Sequence, residues 1–144
     1  MIEVGLRQGC ILSPILFTLF INDLREVVAK VKKGVRVGNK RISILFFADD
    51  IVVLAESQED LELMLKAIYD YSLLWRFKFN LDKCGVVVFH YSIRGILSYG
   101  NCTNECKCDH HFKFGPFLIK EVLTYKYLGL ELDYRLHFFL KAYN

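Results

Sequence analysis

One stretch constrains the fold more than any other: residues 46–51, FFADDI, place two adjacent carboxylates between two apolar runs. The flanking runs, residues 42–47 and 51–55, are rich in β-branched and aromatic side chains, which is typical of two strands joined by a short turn. Neighbouring anions repel each other, and folding does not need them there. On the turn of a β-hairpin, however, Asp49 and Asp50 offer oxygen ligands to a hard divalent cation such as Mg²⁺. The alternative is a solvated surface turn.

Length and composition bound the class of protein. The 144 residues suffice for one modest domain or for part of a larger one. Hydrophobic residues make up 53% of the chain, which excludes a disordered protein. Near the start, the apolar stretch 11–21 is interrupted by Ser13, Pro14 and Thr18 and is shorter than the roughly 20 residues of a membrane helix. With no signal-peptide pattern either, we expect an intracellular protein without a membrane span.

The positive charge is clustered. The formal net charge is only +3, but residues 30–41 contain six cations and no acid: Lys30, Lys32, Lys33, Arg36, Lys40 and Arg41. Such a cluster could follow a phosphate backbone. A solvated helix end and turn is an equally good interpretation.

Cysteines and histidines form one possible metal-binding segment. An odd number of cysteines, five, without an export signal favours free thiols in a reducing compartment. Four residues have the chemistry of zinc ligands: Cys102, Cys106, Cys108 and His110. Because their spacing lacks a Cys-x2-Cys knuckle and residues 101–109 are polar, we favour an ordinary loop over a zinc site.

Two amphipathic helices are predicted. Ser13 as N-cap and Pro14 as the first helical residue open one helix, which continues to Gly34. Its apolar stripe consists of Leu16, Leu19, Phe20, Leu24, Val27, Val28 and Val31. Ser57 and Asp60 resemble a capping box that opens the other helix. Its stripe consists of Leu61, Met64, Leu65, Ile68, Ser72 and Trp75.

Strands are predicted at residues 35–37, 41–47, 51–55 and 85–91, with a Gly38-Asn39 turn after the first. Residues 117–119 and 124–132 are predicted to form a terminal hairpin, and residue 134 to begin another helix. This order of elements indicates an α+β fold in which helices pack on one face of an antiparallel sheet.

Four segments, in order, resemble the motifs of reverse transcriptases. GLRQGCILSP at 5–14, with LF at 16–17 and INDL at 21–24, resembles motif B of the palm. FADD at 47–50 resembles motif C, with Phe where many members carry Tyr. NLDKC at 80–84 is similar to motif D, and YKYLG at 125–129 to the Tyr-Leu-Gly segment that follows. The resemblance covers about residues 3–133, and the form of motif B is most similar to that of non-LTR, LINE-type retrotransposon enzymes.

The resemblance implies two-metal nucleotidyl transfer with two Mg²⁺ or Mn²⁺ ions, one activating the primer 3′-hydroxyl and the other stabilising the leaving pyrophosphate. It implies that Asp49 and Asp50 are catalytic metal ligands, with Asp49 the better candidate for direct ligation. Lys83 would be a general acid toward pyrophosphate. The alternative for Lys83 is a surface lysine without a catalytic role.

The same resemblance implies partners: an RNA template, a DNA primer and deoxynucleoside triphosphates. Template and nucleotide contacts would come from Arg7, Gln8, Gly9 and Phe47, and primer contacts from Tyr127, Leu128 and Gly129. The structural alternatives are a simple turn at Gly9, a core position for Phe47 and a buried hairpin at residues 127–129. By family analogy we expect a nuclear location.

Motif A, which carries the family's third carboxylate, lies upstream of motif B and does not occur in this sequence. We therefore expect an incomplete palm at residues 1–133, the start of a following segment at 134–144, and no activity of the chain alone. The alternative is a non-catalytic remnant that acts as a nucleic-acid-binding or protein-interaction module. Template preference, accompanying nuclease or RNase H domains and oligomeric state stay open.

Overall fold

A computed structural model describes residues 12–89, 111–134 and 138–139. The chain divides into two compact units, Met1–Lys78 and Phe79–Asn144. The first contains the helices α1 (Ser13–Ile21), α2 (Leu24–Lys30) and α3 (Gln58–Trp75) and the strands β1 (Val35–Val37), β2 (Lys40–Ile42), β3 (Ile44–Phe47) and β4 (Asp50–Val53). The second contains a 3₁₀ helix (Leu81–Lys83) and the strands β5 (His111–Phe114), β6 (Phe117–Lys120), β7 (Thr124–Tyr127), β8 (Leu130–Asp133) and β9 (Phe138–Phe139). Helices and antiparallel strands together give the expected α+β class.

The first predicted helix is two helices. α1 begins at Ser13, but its N-cap is Leu12, which makes no side-chain capping bond, so the prediction of Ser13 as N-cap is wrong. α1 ends at Ile21 and α2 begins at Leu24, with a break at Asn22 and Asp23. Short polar side chains of this kind compete for backbone hydrogen bonds and weaken a helix interior. The sequence pattern did not predict this break, because the apolar residues keep their helical spacing through it.

The second predicted helix is confirmed. Ser57 is the N-cap of α3, and its Oγ accepts a hydrogen bond of 3.2 Å from the backbone N–H of Asp60. This bond satisfies one of the N–H groups that a helix leaves unpaired at its start. The buried face of α3 consists of Met64, Leu65, Ile68, Tyr71 and Ser72.

The core of the first unit lies between α2 and α3, which pack against each other. α2 contributes Leu24 and Val28, both fully buried. α1 joins the end of α3 through Phe20, whose ring meets the Trp75 ring edge-on with centroids 5.4 Å apart. Such aromatic pairs stabilise the fold beyond the contribution from burying their apolar surface. The Tyr71 hydroxyl also donates to the Phe20 carbonyl oxygen at 3.1 Å.

The described strands form four small antiparallel sheets and not the single sheet that was predicted: β1-β2, β3-β4, β5-β6 and β7-β8-β9. Each is a local hairpin, with β9 added to the last. The predicted strand 85–91 would have linked hairpins, but among its described residues 85–89 only Val86 forms a bridge, parallel to Glu121. Among the described residues no long central strand joins the hairpins, and β9 is the one strand added to a hairpin.

Two further predictions for the second unit are wrong. Residues 117–119 and 124–132 do not form one hairpin: β6 pairs with β5, and β7 and β8 form a separate hairpin. β5 was not predicted, because the alternation in HFKF is only four residues long. The helix predicted to begin at residue 134 is contradicted at 138–139, where β9 pairs with β8. The buried side chains here are Phe112, Phe114 and Ile119. Within the described parts of the chain, no helix is long and apolar enough to cross a membrane.

Candidate functional site

The acidic pair lies at the tip of the β3–β4 hairpin. Phe47 pairs with Asp50 in the register, so that Ala48 and Asp49 alone form the turn. The prediction that both carboxylates occupy the turn is therefore half correct: Asp49 does, whereas Asp50 is the first residue of β4. Two-residue loops are the commonest hairpin connections, which explains why the turn is this tight. Both aspartates are exposed.

The turn holds Asp49 in a defined place. Ala48 has φ +52°, in the left-handed region that non-glycine residues seldom adopt, and β3 begins at the buried Ile44. Residues 51–55 are half-buried along the return strand. The carboxylates therefore project from a fixed tip whose base is anchored in apolar surroundings.

The donor set at the tip suits a hard cation but is small. Asp49 and Asp50 supply carboxylate oxygens, the ligands that Mg²⁺ prefers. In the part of the chain that the structure describes, no group of three or more His, Cys, Asp or Glu side chains could hold a metal ion. Two carboxylates can contribute to a metal site here, and further ligands would have to come from outside the described ranges.

Phe47 belongs to the site's surface and not to the core. Its side chain is 61% exposed, which contradicts the alternative of a core position. Phe47 lies directly opposite Asp50, and paired residues project from the same face of a hairpin. A flat apolar ring thus lies beside a carboxylate at the tip.

Several predicted site residues fall outside the described residues. These are Arg7, Gln8 and Gly9, together with the possible zinc ligands Cys102, Cys106, Cys108 and His110. Their predicted roles stay predictions.

Lys83 lies in the second unit, at the end of the 3₁₀ helix Leu81–Lys83, with an exposed side chain. Its backbone carbonyl accepts a hydrogen bond of 2.9 Å from the Tyr125 hydroxyl. The neighbouring Cys84 thiol donates to the Asn80 carbonyl at 3.3 Å. Burial raises the pKa of the Cys84 thiol, so the protonated donor is favoured. The backbone that carries Lys83 is therefore held on two sides.

The Tyr-Leu-Gly segment forms a tight hairpin tip. Tyr127 pairs with Leu130, so Leu128 and Gly129 alone form the turn. Both have positive φ, +49° and +83°, as in a type I′ turn. Leu128 is 47% exposed and Tyr127 is half-buried, which contradicts the alternative of a buried hairpin at the tip.

Comparison with known proteins decides the family. A model of the family "Reverse transcriptase (RNA-dependent DNA polymerase)" matches residues 1–132. The chain belongs to the reverse transcriptase family. No solved structure matches it.

Similar proteins come from mobile elements. The chain is 37% identical over 83 residues to a Drosophila melanogaster retrovirus-related Pol polyprotein from the type-2 retrotransposable element R2DM; the match covers 58% of this chain and 8% of that protein. It is 29% and 28% identical to RNA-directed DNA polymerases from the mobile element jockey of Drosophila funebris and Drosophila melanogaster. Each jockey match covers 95% of this chain and 14% of the relative. This reverse transcriptase domain is thus of the non-LTR retrotransposon kind and spans a small part of its relatives' length.

The sequence did not assign a role to Tyr125 within the candidate site. Tyr125 connects the motif D segment to the Tyr-Leu-Gly hairpin through its hydroxyl. The alternation Tyr125, Lys126, Tyr127 places both tyrosines on one face of a strand, and this was the available signal. This alternation does not identify the hydrogen-bond partner of Tyr125, because the acceptor is a backbone carbonyl 42 residues away.

Proposed function

We propose that residues 1–133 are part of the palm of an RNA-directed DNA polymerase that copies an RNA template onto a DNA primer from deoxynucleoside triphosphates. The observation that carries this proposal is the exposed Asp49 at the tip of a two-residue hairpin turn, inside the segment that matches the family. The chain covers only a small share of its relatives, so the activity belongs to the longer protein.

Asp49 and Asp50 would hold Mg²⁺ or Mn²⁺ together with ligands from elsewhere in that protein. When bound, two such ions would lower the barrier by activating the primer 3′-hydroxyl and stabilising the pyrophosphate. Asp49, at the apex, is the direct ligand in this proposal. Asp50, on the strand beside Phe47, supports the site from the adjacent position.

The remaining residues position substrates. Phe47 offers an exposed ring to the primer end or the nucleotide, and Lys83 delivers a proton to the leaving pyrophosphate. The hairpin tip at Leu128 and Gly129 contacts primer sugar and phosphate. Arg7, Gln8 and Gly9 would contact the template base and the nucleotide, a role that rests on the resemblance alone.

The test is a chimera. These 144 residues replace the matching segment of the Drosophila melanogaster jockey polymerase, and primer extension on an RNA template is measured with Mg²⁺. We expect the chimera to extend primers and Asp49→Asn to remove nearly all extension, because no other group replaces a metal-ligating charge.

Two controls make the chimera decisive. Glu59→Gln changes an equally exposed acid in the first turn of α3 and should leave extension unchanged. The 144-residue chain alone should show no templated incorporation with Mg²⁺ or Mn²⁺. Undiminished extension by the Asp49→Asn chimera would refute the proposal.

A further inference from the structure

A basic pocket lies in the first unit, where the end of α2 meets the β1–β2 hairpin. It opens widely to solvent and has a volume of about 510 Å³. Its lining consists of Ala29, Lys32, Arg36, Asn39, Lys40, Arg41 and Ser43. Four of these residues are cationic and none is acidic, so the pocket concentrates positive potential.

Two side-chain hydrogen bonds and one glycine hold the lining of the basic pocket in place. The Arg41 guanidinium donates to the Lys32 carbonyl oxygen, and the Ser43 hydroxyl donates to the Lys33 carbonyl oxygen. Both bonds fasten β2 to the residues that follow α2. Gly34 permits this close approach: its φ is +131°, and a Cβ there would lie 2.6 Å from the Ile42 carbonyl oxygen.

Two acids adjoin the basic pocket without lining it. Asp60 pairs with Lys33 at 2.7 Å, and Glu56 accepts a hydrogen bond of 3.1 Å from the Arg36 backbone N–H. Neither acid lines the basic pocket. Across the described ranges, the side chains of Lys32, Arg36 and Lys40 make no ion pair. The Glu56 carboxylate thus bonds the backbone beside the pocket, while these three cationic side chains are left without an ion-pair partner among the described residues.

Folding alone does not explain this arrangement. Arg36 and Arg41 lie directly opposite each other in the β1–β2 register. Like charges at such positions destabilise a hairpin, because their side chains project from the same face. A bound anion would convert this repulsion into two attractions.

The pocket and the acidic tip lie along one extended path. β2 passes through Ser43 into β3, and the Leu54 N–H donates to the Ser43 carbonyl at 2.9 Å, so the β3–β4 pairing reaches back to the junction. At about 3.3 Å per residue, the chain from Arg41 to Phe47 spans at most about 20 Å, because it leaves strand conformation at Ser43 between two separate sheets. A duplex that advances about 3.4 Å per base pair covers that length in about six base pairs.

We propose that the basic pocket binds the phosphate backbone of the primer–template duplex within about six base pairs of the primer terminus. This inference rests on the proposed polymerase function, since it places the primer terminus at Asp49. The pocket contributes affinity and register without reading sequence, as phosphate contacts do.

The test measures binding of the 144-residue chain to a labelled DNA primer annealed to RNA, by fluorescence anisotropy over a range of salt concentrations. We expect Arg36→Gln/Lys40→Gln to weaken binding and to reduce the slope of log K against log salt by about two, one for each lost phosphate contact. The matched control, Lys66→Gln/Lys78→Gln, removes two exposed lysines away from the pocket and should change the slope little. Circular dichroism melts verify that all variants fold.

Position along the duplex is tested with uncharged methylphosphonates in the primer. Neutral linkages at one or more of about the first six phosphates from the primer 3′ end should weaken wild-type binding and leave the Arg36→Gln/Lys40→Gln variant unaffected. Neutral linkages at about the twelfth should leave the difference between wild type and variant intact. Equal losses in pocket and control variants, or an effect independent of linkage position, would refute the inference.

The two proposals fail separately. A chimera that does not extend primers, while the positional binding effect persists, would refute the polymerase role and retain the pocket as a nucleic-acid-binding site. Extension that requires Asp49, together with no pocket effect, would refute the pocket alone.

Discussion

The Tyr125 hydroxyl donates a hydrogen bond of 2.9 Å to the backbone carbonyl of Lys83. This bond joins the 3₁₀ turn of motif D to strand β7, which leads directly into the Leu128-Gly129 tip. The bond therefore connects the backbone of Lys83, the proposed general acid, to the strand that leads into the proposed primer contact.

Tyr125→Phe should lower the free energy of unfolding by about 0.5–1 kcal/mol, because it deletes one partly exposed hydrogen bond and little packing. Urea denaturation followed by circular dichroism measures this. Tyr127→Phe is the matched control, since the Tyr127 hydroxyl makes no hydrogen bond to the described residues, and it should be nearly neutral. Equal losses from both variants would show that the bond to Lys83 contributes nothing.

Lys83→Ala in the jockey chimera should slow extension by about 10²–10⁴-fold and leave measurable synthesis, because water can partly replace a general acid. Asp49→Asn should be more severe. Single-turnover rates of the two variants decide the order. The roles would be misassigned if the two losses were equal.

Leu128→Asn should stabilise the second unit, and Gly129→Ala should destabilise it by about 1 kcal/mol, since both positions have positive φ. Asparagine and glycine are the residues that a type I′ turn prefers. Denaturation midpoints provide the measurement. Leu123→Asn, a similar polar change at an exposed leucine without positive φ, is the control and should not stabilise.

Ala48→Val should lower the free energy of unfolding by more than about 1 kcal/mol, because a β-branched side chain tolerates the left-handed region poorly. Ala48→Gly should be neutral or slightly stabilising, because the relief of backbone strain at positive φ offsets the extra conformational entropy that glycine loses on folding. Urea titrations of the two variants rank them. A valine variant as stable as the wild type would mean that Ala48 does not hold positive φ in solution.

Tyr71→Phe should change how stability depends on pH. Tyr71 is 4% exposed, and burial, followed by the charge of Asp23, raises the pKa of its phenol above the ordinary value. The folded state thus prefers the neutral phenol, so the stabilisation is complete below about pH 10 and is lost as pH rises through the raised pKa. Loss of the bond to Phe20 should cost about 1 kcal/mol at neutral pH.

The measurement for Tyr71 is a set of urea midpoints from pH 8 to pH 11. The wild type should lose stability more steeply above about pH 10 than the phenylalanine variant, so that the two curves converge. Cys84 remains in both proteins, and its own alkaline contribution cancels in the comparison. Parallel curves would contradict the assigned environment of Tyr71.

Local signals predicted the elements whose causes are local. The predicted Gly38-Asn39 turn joins β1 to β2, and the predicted cap Ser57 begins α3, because turn and cap chemistry act within a few residues. The predicted strand 41–47 is divided at Ser43 into β2 and β3. The hairpin at Asp49 followed from its flanking apolar runs. The position of Asp50 on the strand depended on the turn length, which apolar pattern alone does not specify.

Long-range partners were not predictable in the same way. The apolar residues Leu16 and Leu19 continue the spacing of Leu24 and Val28, yet they are 49% and 67% exposed. Periodicity indicates which side chains share a helix face, but not whether another element covers that face. Likewise, residues 85–91 have the composition of a strand, but a strand forms only where a neighbouring strand is available for pairing. Among residues 85–89, only Val86 has such a partner, Glu121.

The uncovered face of α1 also has a practical side. Ile15, Leu16 and Leu19 are each about half exposed or more, and the neighbouring Leu12 is 59% exposed. A contiguous exposed apolar surface of this kind promotes self-association and binding to column matrices and chaperones. Leu73 and Leu74 are also exposed, at 59% and 76%, so these four side chains contribute to self-association of the purified chain without being its sole cause, and dilute, low-salt handling should limit it.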